Sequence, residues 1–234
     1  MIDLARYKTV FFDCDGVLLD SNRVKTDAFR LAAAPYGEAA ADELVAHHVA
    51  NGGVSRYVKF ERFLSTIAPK YKTQVSNQDE LPDLEGLLEN YASAVRSGLA
   101  TCPVASGLPE LRSLTRGARW LVVSGGDQSE LRQVFRERGL AELFDGGIFG
   151  SPDTKDEILS REFQGGIIQH PAVFIGDSRL DHEAATRAGT DFVFVSGWTD
   201  FSNWKEYVNR NGIHAIESLS ELSQHVKGSG RIAY

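Results

Sequence analysis

Cysteine is scarce: the 234 residues hold only Cys14 and Cys102, and their separation matches no metal-ligand spacing. Two thiols in a chain of this length make no disulfide framework, so reduced thiols and a cytoplasmic location are the expectation. No segment approaches the ~18 consecutive apolar residues of a membrane span, and Asp3 and Arg6 interrupt any signal-like run after Met1. A run of Lys and Arg is missing too. With 25 basic side chains against 32 acidic ones the net charge is -7, which leaves a nucleic-acid backbone nothing to follow. His47, His48, His170 and His182 show no metal spacing and receive no function. Low-complexity tracts and internal repeats are also lacking. These absences exclude a disulfide scaffold, a zinc module, a membrane protein and a nucleic-acid binder.

What is present is an ordinary globular composition, 42% apolar and 24% charged, in a chain long enough for one core plus an insertion. Four short runs rich in Val, Ile, Leu and Phe stand out, at 9–13, 120–126, 172–178 and 191–198, with a weaker one at 146–151. Continuous apolarity of this kind marks strands covered on both faces, as in a parallel sheet. Helical patterns at 129–138, 153–163 and 180–188 separate the later runs, and the tail repeats the alternation at 214–216 and 218–226. The reading is α/β, a doubly wound, Rossmann-like parallel sheet. Residues 22–99 differ, because they carry amphipathic stripes and no strong strand. One stripe is Leu84, Leu87, Leu88, Tyr91 and Val95; the other is Tyr57, Phe60, Leu64 and Ile67. We read this segment as an all-helical insertion in a core made of 1–21 and 100–234, with a loop over 71–82.

In open parallel sheets, ligands collect at the carboxyl ends of the strands, and the polar residues of this chain fall there. The first run ends in Asp13 and Asp15, the second in Ser124 with Gly125 and Gly126, the third in Asp177 with Asp181 beyond, and Lys155 opens the helix after the weaker run. Each piece alone has an ordinary explanation, as a turn, a loop, a cap or a solvated helix residue. Together they are a site. Asp13 and Asp15 start toward the same side of an extended chain, and like charges that close require a metal ion, a shared proton, or both. Four acids without a nearby His/Cys set argue for a hard cation such as Mg²⁺. The Ser124 hydroxyl, the backbone N–H groups at Gly125 and Gly126 and the Lys155 charge are donors for phosphate oxygens, so the set describes phosphoryl transfer.

These stretches resemble the four motifs of the haloacid dehalogenase superfamily: FFDCDGV the first, VVSGG the second, the lysine of SPDTKDEIL the third and GDSRLD the fourth. The helical insertion resembles the cap of phosphoglycolate-phosphatase-like and β-phosphoglucomutase-like members. The resemblance implies Asp13 as nucleophile and Asp15 as acid/base, with phosphate held by Ser124, Gly125 and Lys155. It further implies a metal on Asp13, the Asp15 backbone carbonyl and Asp177, with Asp181 acting through water or orienting Lys155. Dehalogenating members lack an acid where Asp15 stands, which turns the expectation to a Mg²⁺-dependent phosphatase. Its substrate would be a small phosphorylated metabolite, a sugar phosphate or phosphorylated hydroxy acid, and the protein a monomer or homodimer. The alternatives are a phosphomutase using the same intermediate, or a non-catalytic metabolite-binding or receiver-like module. Within the cap, the glycine-rich break at 51–56 directs Arg56, with Asn51 and Lys59, toward the leaving group, unless Arg56 only starts an exposed helix. Trp198 and Trp204 read as anchors of the loop after the last strong strand.

Overall fold

In a computed structural model that describes residues 2–74 and 81–223, the apolar runs pair into one six-stranded, wholly parallel sheet. Its strands are β1 (Thr9–Phe12), β2 (Arg119–Asp127), β3 (Gly147–Ser151), β4 (Ala172–Gly176), β5 (Asp191–Val195) and β6 (His214–Ile216), in the order β3-β2-β1-β4-β5-β6. β1 is central, with Phe12 level with Val122 of β2 and Ile175 of β4. The order reverses around it, which opens a crevice beyond its carboxyl end.

Successive side chains of a strand enter opposite faces, and both faces are dry. Phe11, Leu121, Val123 and Phe174 pack with Ile158 and Leu159 of α7 (Lys155–Gln164) and with Ala184 and Ala185 of α8 (Arg179–Ala188). Val10, Phe12, Val122 and Ile175 pack on the other side, against α5 (Leu108–Leu114) and α6 (Gln128–Glu137). Phe12 meets the Trp120 ring at 4.7 Å, and the Trp120 indole N–H donates to Thr115 Oγ1 at 2.9 Å. Double-sided burial is the reason these strands read as unbroken apolar runs.

Between β1 and β2 the chain forms the helices α1 (Asn22–Ala33), α2 (Glu38–Ala50), α3 (Arg56–Arg62) and α4 (Leu84–Thr101). Phe29 joins them, its ring 4.6 Å from that of Tyr91 and 5.1 Å from that of Phe60. In the first expected stripe Leu87, Tyr91 and Val95 are buried. The second is corrected. α3 passes into a π-helical turn, Phe63–Ile67, whose wider turn shifts the register so that Phe63 is buried and Leu64 only half-buried. The expected loop over 71–82 is corrected in part, because a 3₁₀ helix runs over Ala68–Gln74, while 75–80 lie outside the described residues. The last expected helix is seen over 219–223, its remainder lying outside the described residues.

α5 and α9 (Trp204–Asn211) escape the sequence reading, α9 because Val208 is its only buried residue and gives no periodic signal. Trp204 stacks on Phe194 at 5.6 Å, as an anchor would, whereas Trp198 is half-buried against the core. No helix among the described residues is long and apolar enough to cross a membrane. Because Phe29 ties three cap helices together, Phe29→Ala should cost about 3–5 kcal/mol. Urea unfolding of the variant checks this, and a loss confined to cap resonances or cap proteolysis would show the cap unfolding as a separate unit.

Candidate active site

Two strand ends and two helix starts converge at the carboxyl edge of the sheet. Asp13 follows β1 and is fixed by its own N–H, which donates to the Ile175 carbonyl at 2.9 Å. Its Oδ1 accepts from the Cys14 N–H at 2.8 Å and lies 3.0 Å from Lys155 Nζ. Lys155 arrives because Thr154 and Glu157 form a capping box that starts α7 at the lysine itself. A second capping box, Ser178 with Asp181, starts α8 and holds Asp181 Oδ2, while Asp181 Oδ1 bonds Lys155 Nζ. Asp177 sits just before that cap, its Oδ2 accepting from Asn22 Nδ2 at 3.2 Å and its carbonyl from Thr199 Oγ1 at 2.6 Å.

Asp13, Asp177 and Asp181 are all buried and offer oxygens within 4.8 Å of one another. Burial pushes Asp13 up to about 7, against the pull of Lys155 and with the push of Asp181 and Asp15. Asp177 is raised well above the usual carboxylate range by burial and then by Asp13 and Asp181. For Lys155, burial opposes the charge, but Asp13 and Asp181 outweigh it and hold the ammonium protonated. One ammonium faces three carboxylates. That donor set, all oxygen and short of positive charge, suits an oxygen-preferring divalent cation. The close packing leaves no room for a side chain at Gly16, where φ is +73° and a Cβ would stand 2.1 Å from Asp177 Oδ2.

Asp15 departs from the expectation that it shares one space and one counter-charge with Asp13. Its carboxylate is not in the cluster: Oδ2 takes Lys25 Nζ at 2.5 Å and Oδ1 the Ser21 hydroxyl at 2.6 Å. Burial raises Asp15, but Lys25 and the Ser21 hydrogen bond more than offset it, so the group is held below its ordinary value. Each of the two aspartates therefore has its own lysine, and as a metal ligand Asp15 has only its backbone carbonyl to offer. Lys25 was missed because nothing in the linear pattern distinguishes it from a solvated residue of an amphipathic helix. The Ser124 side chain is buried and its Oγ accepts the Gly126 N–H at 3.0 Å. Gly125 lies directly beneath the cap, where a Cβ would stand 2.1 Å from the Gly53 carbonyl oxygen. Cys14 is buried and its thiol pushed up well above its usual range, which suits a spacer and not a nucleophile.

A cavity of about 700 Å³ lies between core and cap, lined by Asp13, Asp15, Gly125 and Asp177 from one side and Arg56 and Lys59 from the other. Arg56 is not an exposed helix start. Its Nη1 is 3.0 Å from Glu130 Oε2, its Nη2 is 3.6 Å from Asp127 Oδ2, and its guanidinium lies 5.0 Å from the Tyr91 ring. It thus bridges the cap to the start of α6, helped by Tyr57, whose hydroxyl donates to Asp127 Oδ2 at 2.8 Å. Asn51 lines the cavity but spends its amide on the end of α2, donating to the His47 carbonyl at 2.8 Å.

A doubly wound sheet with buried carboxylates and a lysine at its carboxyl edge, under an inserted cap, defines a class of hydrolase. Residues 7–189 match the family described as haloacid dehalogenase-like hydrolase, and the chain belongs to that family. No curated protein matches the sequence significantly. Among solved structures it is similar to a predicted phosphatase from Clostridium acetobutylicum, at 18% identity and TM-score 0.69 over 95% of this chain and 99% of that one. A HAD-hydrolase from Bacillus subtilis solved bound to magnesium matches at 21% identity and TM-score 0.62, over 95% of this chain and 99% of that one. CbbY from Rhodobacter sphaeroides, solved in complex with phosphate, matches at 19% identity and TM-score 0.65, over 92% of this chain and 96% of that one.

Asp177→Asn keeps an acceptor for Asn22 while removing one of the crowded charges. In EDTA it should raise the melting temperature by roughly 2–4 °C, the shift that about 1 kcal/mol gives at this size. Asp13 and Asp177 are both raised on folding, so their contribution is present below the unfolded carboxylate value and is lost as pH rises through about 7 for Asp13. The gap between variant and wild type should therefore be wider at pH ~8 than at pH ~5.5, as thermal melts in EDTA would measure.

Proposed function

We propose that the protein is a Mg²⁺-dependent phosphatase that hydrolyses a small phosphorylated metabolite through an aspartyl-phosphate on Asp13. The observation that carries this reading is the state of the Asp13 carboxylate. Oδ1 is tied down by the Cys14 N–H and Lys155, while Oδ2 has no hydrogen bond among the described residues and Asp13 borders the cavity. A nucleophile needs one fixed oxygen for aim and one free oxygen for attack. The relatives from Bacillus subtilis and Rhodobacter sphaeroides, solved with magnesium and with phosphate, support the same reading.

In the first half-reaction Asp13 Oδ2 forms a bond to phosphorus as the bond from phosphorus to the ester oxygen breaks. Asp15 gives that oxygen a proton. In the second half, Asp15 takes a proton from water, the water oxygen bonds to phosphorus, and the bond between phosphorus and Asp13 breaks to release phosphate. Lys155, the Ser124 hydroxyl and the backbone N–H of Gly125 receive the phosphoryl oxygens. Asp13, Asp177 and the Asp15 carbonyl would hold Mg²⁺, with Asp181 positioning Lys155. The ion would supply positive charge to the carboxylates and the phosphoryl group.

The Lys25 pair favours ionised Asp15, the form that accepts a proton from water. Loosening that pair, when the cap lifts to admit substrate, is what lets Asp15 take up the proton it gives to the leaving group. Interdomain movement is recorded for the Bacillus subtilis relative, which supports a cap that opens. With the cap down, Gly53 over Gly125 excludes bulk water from the intermediate. A cytoplasmic site of action accords with this choice of substrate.

Mg²⁺-dependent release of phosphate from a panel of phosphorylated metabolites tests the reading. Asp13→Asn should lower kcat at least about 10³-fold with KM little changed, as loss of a nucleophile does, and EDTA should abolish turnover. Full activity in Asp13→Asn would sink the mechanism.

A further inference from the structure

The cations around the cavity are matched to carboxylates with one exception. Lys25 pairs with Asp15, Arg56 with Glu130, Arg179 with Glu183 and Arg210 with Glu206. Lys59, on α3 of the cap, borders the same cavity, is 2% exposed, and has no carboxylate partner among the described residues. Its Nζ lies 2.8 Å from Nδ1 of His48 and 5.5 Å from the centre of the Phe29 ring. His48 is neutral, pushed down to about 3 by burial and then by Lys59 and Lys25. When protonated, Lys59 donates to a neutral lone pair and has two further donors without a partner among the described residues. Burial, then repulsion from Lys25, pushes Lys59 itself down to about 7.

A buried ammonium with only neutral partners is costly, and tertiary structure seldom retains one without use. Its surroundings specify the ligand. Lys155 and Lys25 repel it and Asp15 attracts it, so it stands within electrostatic reach of the candidate acid/base, on the cap side where the alcohol part of a phosphomonoester would rest. A hydroxyl there would leave the charge uncompensated, whereas an oxyanion would neutralise it and use its free donors.

Building on the phosphatase reading, we propose that the substrate is a phosphomonoester whose leaving alcohol carries a second oxyanion, and that Lys59, oriented by His48, binds that oxyanion. The phosphorylated hydroxy acids fit this chemistry, and so do bisphosphates; monophosphates of neutral sugars do not. Lys59 becomes the residue that selects substrates, while Arg56 is occupied in holding the cap to α6.

The test compares phosphoglycolate, ethylene glycol bisphosphate and ethyl phosphate, which share a two-carbon alcohol and differ in carrying a carboxylate, a second phosphate or neither. Wild type should favour at least one of the first two over ethyl phosphate by about tenfold or more in kcat/KM, mainly through KM, and which of them it favours identifies the oxyanion. In Lys59→Met the preference should fall to about twofold or less, and in Lys59→Arg it should persist. Lys59→Gln replaces the methionine variant if a thermal melt shows that the latter does not fold. No preference in wild type, or a preference that survives loss of the charge, overturns the proposal.

Binding separates this inference from the phosphatase reading. If no ester is hydrolysed, that reading fails, and calorimetry with the non-hydrolysable phosphonoacetate and ethylphosphonate decides for Lys59. Tighter binding of phosphonoacetate that depends on Lys59 supports the proposal; equal binding, or none, overturns it.

Discussion

Three carboxylates held out of water against a single ammonium are the condition to which the rest of the molecule answers. Like charges at that spacing repel, and burial penalises each of them, so the arrangement stands only if the backbone leaves the side chains no alternative. The parallel sheet provides that rigidity. Asp13 extends a central strand bonded on both sides, and Asp177 and Asp181 are locked by a capping box at the next strand end. Lys155 is delivered by a second capping box. The shortage of positive charge that results is a property of the fold, and it is what suits the cluster to a divalent cation.

The cap meets this charged floor in a different way. Within the cap the contacts are apolar, centred on Phe29, Phe60 and Tyr91, but over the site they are polar: Lys25 on Asp15, Arg56 on Glu130 and Asp127, Tyr57 on Asp127. Ion pairs exchange readily for water once exposed, whereas an apolar seam resists opening. The same contacts explain why Arg56, the most conspicuous cap residue in the sequence, braces the cap against α6, while the less conspicuous Lys59 borders the cavity without a counter-charge among the described residues.

Much of the fold was legible because its signals are local and strong. Strands buried on both faces show as unbroken apolar runs, and all six appear near their expected positions. Elements with weak local signals were not legible: α9 buries one residue, and the π turn after Phe60 changes which residue of the stripe faces inward. In the site, Asp13, Lys155, Asp177 and Asp181 lie at the ends of regular elements, so their convergence followed from the topology. Asp15 did not follow, because its surroundings depend on Ser21 and Lys25, at the entry to and in the first turn of α1, and not on the strand.

The sequence by itself therefore determined the parallel sheet, the inserted helical segment and the acids and lysine at the strand ends, because backbone periodicity dictates where those residues point. Only the tertiary structure decided how the charges are shared. Asp13 is paired with Lys155 and Asp15 with Lys25, Arg56 is neutralised by Glu130, and Lys59 lacks an acidic partner among the described residues. The physical reason is that electrostatic pairing depends on distance and burial across elements far apart in the chain, and no linear pattern encodes either.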